Sequence, residues 1–101
     1  MITAELINDH GEIIERIVGT PGSIDKYIPL PNDKKFRCIG FIDPYGDTVF
    51  NTLQARTSLI TELQATLQKA NAFDMPYIKE IIRLAERVKL EPGFLLRFIG
   101  D

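Results

Sequence analysis

Six residues in this sequence have the type and setting for chemistry beyond folding: Asp43, Tyr45, Asp47, Asn51, Gln54 and Arg97. Asp43 and Asp47 flank the turn Asp43-Pro44-Tyr45-Gly46 and could, with backbone carbonyls, bind a cation. Two carboxylates four residues apart lack the oxygen number and spacing of a calcium loop, and turn capping accounts for Asp43, so no metal is expected. Arg97 interrupts the apolar stretch Phe94-Leu95-Leu96-Arg97-Phe98-Ile99, where it must reach solvent or meet a carboxylate; the candidates are Asp43, Asp47 and Asp101. Asn51 and Gln54 either bond backbone at a strand-to-helix junction or face a cleft beside the turn. Tyr45, at the tip, either lies back on the sheet or projects as rigid contact area with a polar end.

The remaining nucleophiles and bases are few. The one histidine, His10, falls in the turn Asn8-Asp9-His10-Gly11, and the one cysteine, Cys38, falls inside an apolar run. Cys38 reads as a small buried hydrophobe in a reducing compartment rather than as a nucleophile. The sequence contains no Gly-rich phosphate loop, no Gly-x-Ser-x-Gly elbow and no metal-spaced His/Cys cluster, and no cofactor is expected. The 14 acidic and 12 basic side chains give a net charge of −2 with the basic residues scattered, which argues against nucleic-acid binding. Met1-Ile2-Thr3-Ala4-Glu5 has no signal-peptide character, and no apolar run approaches a bilayer span, so a cytoplasmic protein without a membrane partner is expected.

The elements that must position these residues follow from periodicity. With 101 residues, 45% of them hydrophobic, the chain is expected to be one domain with its own core. Residues 2–7 alternate Ile2, Ala4 and Leu6 against Thr3 and Glu5, and with Glu12–Val18 they predict a first hairpin. Gly19–Ser23 breaks the chain. Ser23 then caps a short helical turn carrying Ile24, Tyr27 and Ile28, which Pro29 and Pro31 stop, and Asn32–Lys35 reads as a solvated loop. Phe36–Ile42 is apolar on both faces, which predicts a central strand, with Gly40 marking a close approach. Asp47–Phe50 is expected to return antiparallel to it across the Asp43–Gly46 turn, with Gly46 at positive φ and a bulge.

From there the period becomes helical. Leu59, Ile60, Leu63, Leu67 and Ala70 define a helix over roughly residues 55–71, capped by Asn51 with Gln54 or by Thr57 or Ser58, and stopped by Asn71 in a left-handed conformation. Asp74-Met75-Pro76 opens a second helix with the apolar stripe Tyr77, Ile78, Ile81, Ile82, Ala85 and Val88. Glu91-Pro92-Gly93 turns into a last strand, Phe94–Ile99, apolar enough to be interior and placed beside Phe36–Ile42. The predicted order is β-β-β-β-α-α-β, an α+β fold with an antiparallel or mixed sheet of about five strands and two helices on one face.

Phe41-Ile42-Asp43-Pro44-Tyr45-Gly46-Asp47-Thr48-Val49-Phe50-Asn51, with Leu53-Gln54, Glu62-Leu63 and the closing Arg97-Phe98-Ile99-Gly100-Asp101, resembles a family of small bacterial proteins without an assigned activity. The resemblance implies a bacterial cytosolic origin and carries over no catalytic residue. In size and composition the chain is also similar to toxin-immunity proteins, which act by covering a partner's active site. The resulting expectation is a non-catalytic protein-interaction module, an immunity-type inhibitor among the candidates, with another protein as partner and a homodimer as a further possibility. The rival reading is a small-ligand binder or enzyme built on Asp43, Asp47 and Arg97.

Overall fold

In the computed structural model, which describes residues 1–29 and 36–101, the first hairpin forms as its alternation predicts. Strand β1 (Thr3–Asn8) pairs antiparallel with β2 (Ile13–Arg16). Asn8 closes the turn: its Oδ1 accepts from the backbone N–H of His10 at 3.0 Å and of Glu12 at 2.9 Å. A bulge after Leu6 leaves Ile14 without an opposite residue. A 3₁₀ turn, Asp25–Tyr27, follows as expected, but Ile24 and not Ser23 holds its N-cap position; the Ser23 hydroxyl instead accepts from the Asp25 N–H at 3.0 Å. Pro31 and the loop Asn32–Lys35 lie outside the described residues.

Phe36–Ile42 is not the central strand. Within it, Ile39–Phe41 is a 3₁₀ turn in which the Phe41 N–H donates to the Cys38 carbonyl at 2.9 Å. The cause is tertiary. The Glu62 carboxylate accepts from the backbone N–H of Arg37 (2.9 Å), Cys38 (3.0 Å) and Ile39 (2.9 Å). Consecutive amides converge on one anion only where the backbone curls, because an extended strand sends alternate N–H groups to opposite sides. The run is apolar because Cys38, Ile39 and Ile42 plug the core, while Phe41 faces out. The Asp43–Gly46 turn consequently joins a curled segment to a strand and makes no hairpin.

β3 (Asp47–Phe50) and β4 (Phe94–Ile99) complete one four-stranded antiparallel sheet in the order β2-β1-β4-β3. β4 is interior, as its composition requires, but its neighbours are β1 and β3. The fold is α+β, with four strands in place of the expected five.

The helical half opens at Thr52, earlier than the periodicity suggests. α1 (Thr52–Gln54), a π turn (Ala55–Leu59) and α2 (Ile60–Lys69) follow one another without interruption. Of the alternative caps, the structure uses the Asn51–Gln54 capping box. Thr57 instead donates to the Leu53 carbonyl at 2.8 Å. In the π turn the Ile60 N–H reaches back to the Ala55 carbonyl, and this shift of one residue puts Ala55 and Leu59 into the core along with Ile60 and Leu63. Asn71 is no left-handed stop, since the described residues include no non-glycine with positive φ. Its side chain accepts from the Asp74 N–H at 2.8 Å.

α3 (Met75–Leu90) starts at the expected proline, yet Asp74 does not cap it with its side chain. The buried Asp74 carboxylate turns to the preceding loop and accepts from the Ser23 N–H (3.0 Å), the Tyr27 hydroxyl (2.8 Å) and Lys26 Nζ (2.9 Å). Hydrogen bonds from Lys26 and Tyr27 hold its pKa below the ordinary aspartate value. Gly22, at φ +108°, lets the loop come this close: a Cβ there would lie 2.7 Å from Asp74 Cα.

The helices cover one face of the sheet, where Ala4, Leu6, Leu96 and Phe98 meet Leu59, Leu63, Ile81 and Leu84 in one core. Phe50 packs edge-on against Phe98 with ring centroids 5.8 Å apart. Among the described residues no helix is long and apolar enough to cross a membrane.

Replacing Glu62 by alanine strands the amides of residues 37–39. With each unmet buried donor costing about 1–3 kcal/mol, partly recovered as the segment opens to water, the expected loss is about 2–4 kcal/mol by chemical denaturation. An unchanged unfolding midpoint would show that the carboxylate does not set the fold of this segment.

Candidate functional site

The Asp43–Gly46 turn is locked from several sides. Asp43 Oδ1 accepts from the Tyr45 N–H at 2.8 Å, and the Asp43 N–H donates to Thr48 Oγ1 at 2.9 Å. The Gly46 N–H closes on the Asp43 carbonyl at 3.4 Å, and the Gly46 carbonyl accepts from the Gly100 N–H at 2.9 Å. Gly46 is not at positive φ, contrary to the expected bulge geometry. Its lack of a side chain serves a close approach instead, since a Cβ would stand 2.7 Å from Asp43 Oδ2. Gly100 is tighter still: a Cβ would lie 2.3 Å from the Pro44 carbonyl carbon and oxygen.

This held turn aims Tyr45 outward. Tyr45 is 83% exposed and Phe41, just before the turn, is 70% exposed. Asp43 and Asp47 are exposed beside them and form no ion pair among the described residues. Asn51 and Gln54 bond each other's backbone at 2.8 and 2.9 Å at the strand-to-helix junction, so both side chains are engaged in the capping box.

Arg97 does not join this group. Its Nε and Nη2 donate to Glu5 Oε1 at 3.1 and 2.7 Å, while Arg16 Nε donates to Glu5 Oε2 at 2.5 Å. The register explains the choice. Glu5 lies directly opposite both Arg97 and Arg16, whereas Val49 is the residue of β3 opposite Arg97 and Asp47 sits one diagonal step away. Arg97 therefore pairs with none of Asp43, Asp47 or Asp101. Burial acts to raise the Glu5 pKa, but hydrogen bonds from Arg97 and Arg16 outweigh it and hold the carboxyl below its ordinary value.

Cavities indent the described surface. One, of about 260 Å³, is lined by Ile2, Asp25, Ile28, Pro29, Gly40, Ile42 and Pro44; another, of about 270 Å³, by Arg37, Thr57, Ser58, Thr61 and Glu62. Neither includes Asp43, Asp47 or Arg97 in its lining. Burial, with a smaller contribution from Glu62, pushes the Cys38 thiol up to about 11, so it is protonated and unreactive at neutral pH. His10 is exposed in its turn, with Nε2 3.7 Å from Asp9 Oδ1. Among the described residues no three His, Cys, Asp or Glu side chains converge to hold a metal ion.

Sequence reasoning missed the three buried carboxylates Glu5, Glu62 and Asp74 as tertiary anchors. For Glu5 a signal existed. It shares a strand with alternating apolar residues while Arg97 interrupts another apolar strand, and two such intruders of opposite charge are natural cross-strand partners. Compared with known proteins, the chain matches no family model, no curated protein and no solved structure.

Gly100→Ala forces a methyl into the Pro44 carbonyl, and the expected cost is about 1–3 kcal/mol, read as a lower denaturation midpoint. No change would mean that the turn yields freely. For Glu5 the folded pKa is depressed, so its stabilisation is fully present above the ordinary value of 4.5 and is lost as pH falls through the folded value. Glu5→Gln should cost about 3 kcal/mol or more at neutral pH and flatten the acid limb of the stability–pH curve. Parallel curves for the two proteins would refute that linkage.

Proposed function

We propose that the protein is a non-catalytic protein-interaction module, in the manner of an immunity-type inhibitor that covers a site on another protein. The observation that carries this reading is Tyr45, 83% exposed on a turn fixed by side-chain, backbone and glycine contacts. Tyr45 contributes little burial to the fold, and holding it rigid lowers the entropy lost when a partner covers it. Phe41 enlarges the apolar contact, and the exposed carboxylates of Asp43 and Asp47 at its rim suit a partner surface of positive potential. The bacterial and cytosolic setting belongs to the same reading. The rival, a ligand site built on Asp43, Asp47 and Arg97, loses its cation to Glu5.

The test is affinity capture from a bacterial lysate with wild type and Tyr45→Ala in parallel, followed by calorimetry on any protein retained. A central tyrosine is expected to contribute about 2 kcal/mol, so Tyr45→Ala should weaken binding about 30-fold. Equal retention by both, or retention by neither, would remove the support for this surface.

A further inference from the structure

Strand register fixes a lattice of side chains on the sheet face that points away from the helices. Its middle row reads Arg16, Glu5, Arg97, Val49 across β2, β1, β4 and β3. The row on one side holds Ile13, Ile7 and Leu95, and the row on the other holds Thr3, Ile99 and Asp47. Ile13 and Val49 are 46% and 44% exposed, Leu95 and Ile99 are half-buried and Ile7 is buried between them, so this face is open to solvent along its two edges. The Glu5 carboxylate at its centre is nonetheless 0% exposed beneath the two guanidinium groups.

We infer that this face binds a second copy of the chain, sheet against sheet, about a two-fold axis parallel to the strands and between β1 and β4. That rotation reverses the strand order. The second copy's row, Val49, Arg97, Glu5, Arg16, then lies over Arg16, Glu5, Arg97, Val49. Each Arg16 lays its aliphatic stem on the other copy's Val49, with Asp47 of that copy one diagonal step from its head. In the adjacent rows Leu95 comes over Ile7 and Ile99 over Thr3. Sheets that stack face to face keep their strands within about 30° of one another, close enough to preserve this matching over the central rows.

The charges single out a copy as the occupant. With Glu5 covered, the face offers Arg16 on its β2 edge and the exposed Asp47 carboxylate on its β3 edge, and the reversed strand order brings each edge over the opposite charge. Tyr45 lies outside these rows; Asp47 is the one residue both surfaces use, so Val49→Lys and Tyr45→Ala are the variants that separate them.

Sedimentation equilibrium of wild type, Val49→Lys, Asp47→Lys and Tyr45→Ala, each checked for folding by circular dichroism, decides the matter. The expected result is a wild-type dimer that either lysine variant weakens about tenfold or more, while Tyr45→Ala leaves it intact. Lysine at 47 or 49 sets a cation against Arg16 of the other copy, so both variants act on the contact at exposed positions where folding is spared. A wild type that stays monomeric at about 1 mM overturns the inference, as does a dimer that both lysine variants leave unchanged. A Tyr45-dependent heterologous complex would survive either outcome, so this inference and the proposed function fail separately.

Discussion

The sheet depends on a carboxylate with no access to water. Glu5 sits on the interior strand β1, and its two oxygens take hydrogen bonds from Arg97 on β4 and Arg16 on β2. An unpaired charge at that position would be costly enough to unmake the fold, so the three strands must come together in one register. A slip of one residue would also turn Ala4 and Leu6 away from the helices and expose them. Charge pairing and apolar burial therefore specify the same alignment, which joins the first strand of the chain to the last.

Two further buried carboxylates do for the irregular segments what Glu5 does for the sheet. Glu62 gathers the amides of residues 37–39, and Asp74 gathers the Ser23 amide, the Tyr27 hydroxyl and Lys26. Both acids sit on or beside helices whose apolar faces are buried, and that packing fixes where the carboxylates stand. Backbone donors that a strand would have paired in a ladder are satisfied here by single anions. The result is a four-stranded sheet with curled connections at its rim.

On that rim stands the exposed Tyr45. The turn bearing Tyr45 is fastened to the end of β4 through Gly100, so the exposed aromatic rides on the interior strand and not on a loose loop. Rigid backing and outward exposure together are what a contact surface needs, because little freedom is left to lose on binding. On the open sheet face the same interior strand carries Arg97 between Glu5 and Val49. One strand thus organises both surfaces.

Much of this was legible in the sequence. The alternation of residues 2–7, the turn at Asn8–Gly11, the helical stripes, Asn51–Gln54 as one of the candidate caps and the interior character of Phe94–Ile99 are local patterns, and local stereochemistry enforces them. Sequence also marked Tyr45 and Arg97 as residues in unusual settings. It could not assign Phe36–Ile42, because an apolar run buried as a curl has the same composition as one buried as a strand, and the Glu62 carboxylate that selects the curl comes from a helix more than 20 residues away. Nor could it choose among the carboxylates for Arg97, since that choice is made by strand order and register, which bring Glu5 opposite and leave Asp47 on the diagonal. The sequence by itself determined which segments are helices, turns and strands wherever a single element's periodicity suffices; only the tertiary structure decided which anion meets which cation and amide, because those partners are chosen by distance in space and not by distance along the chain.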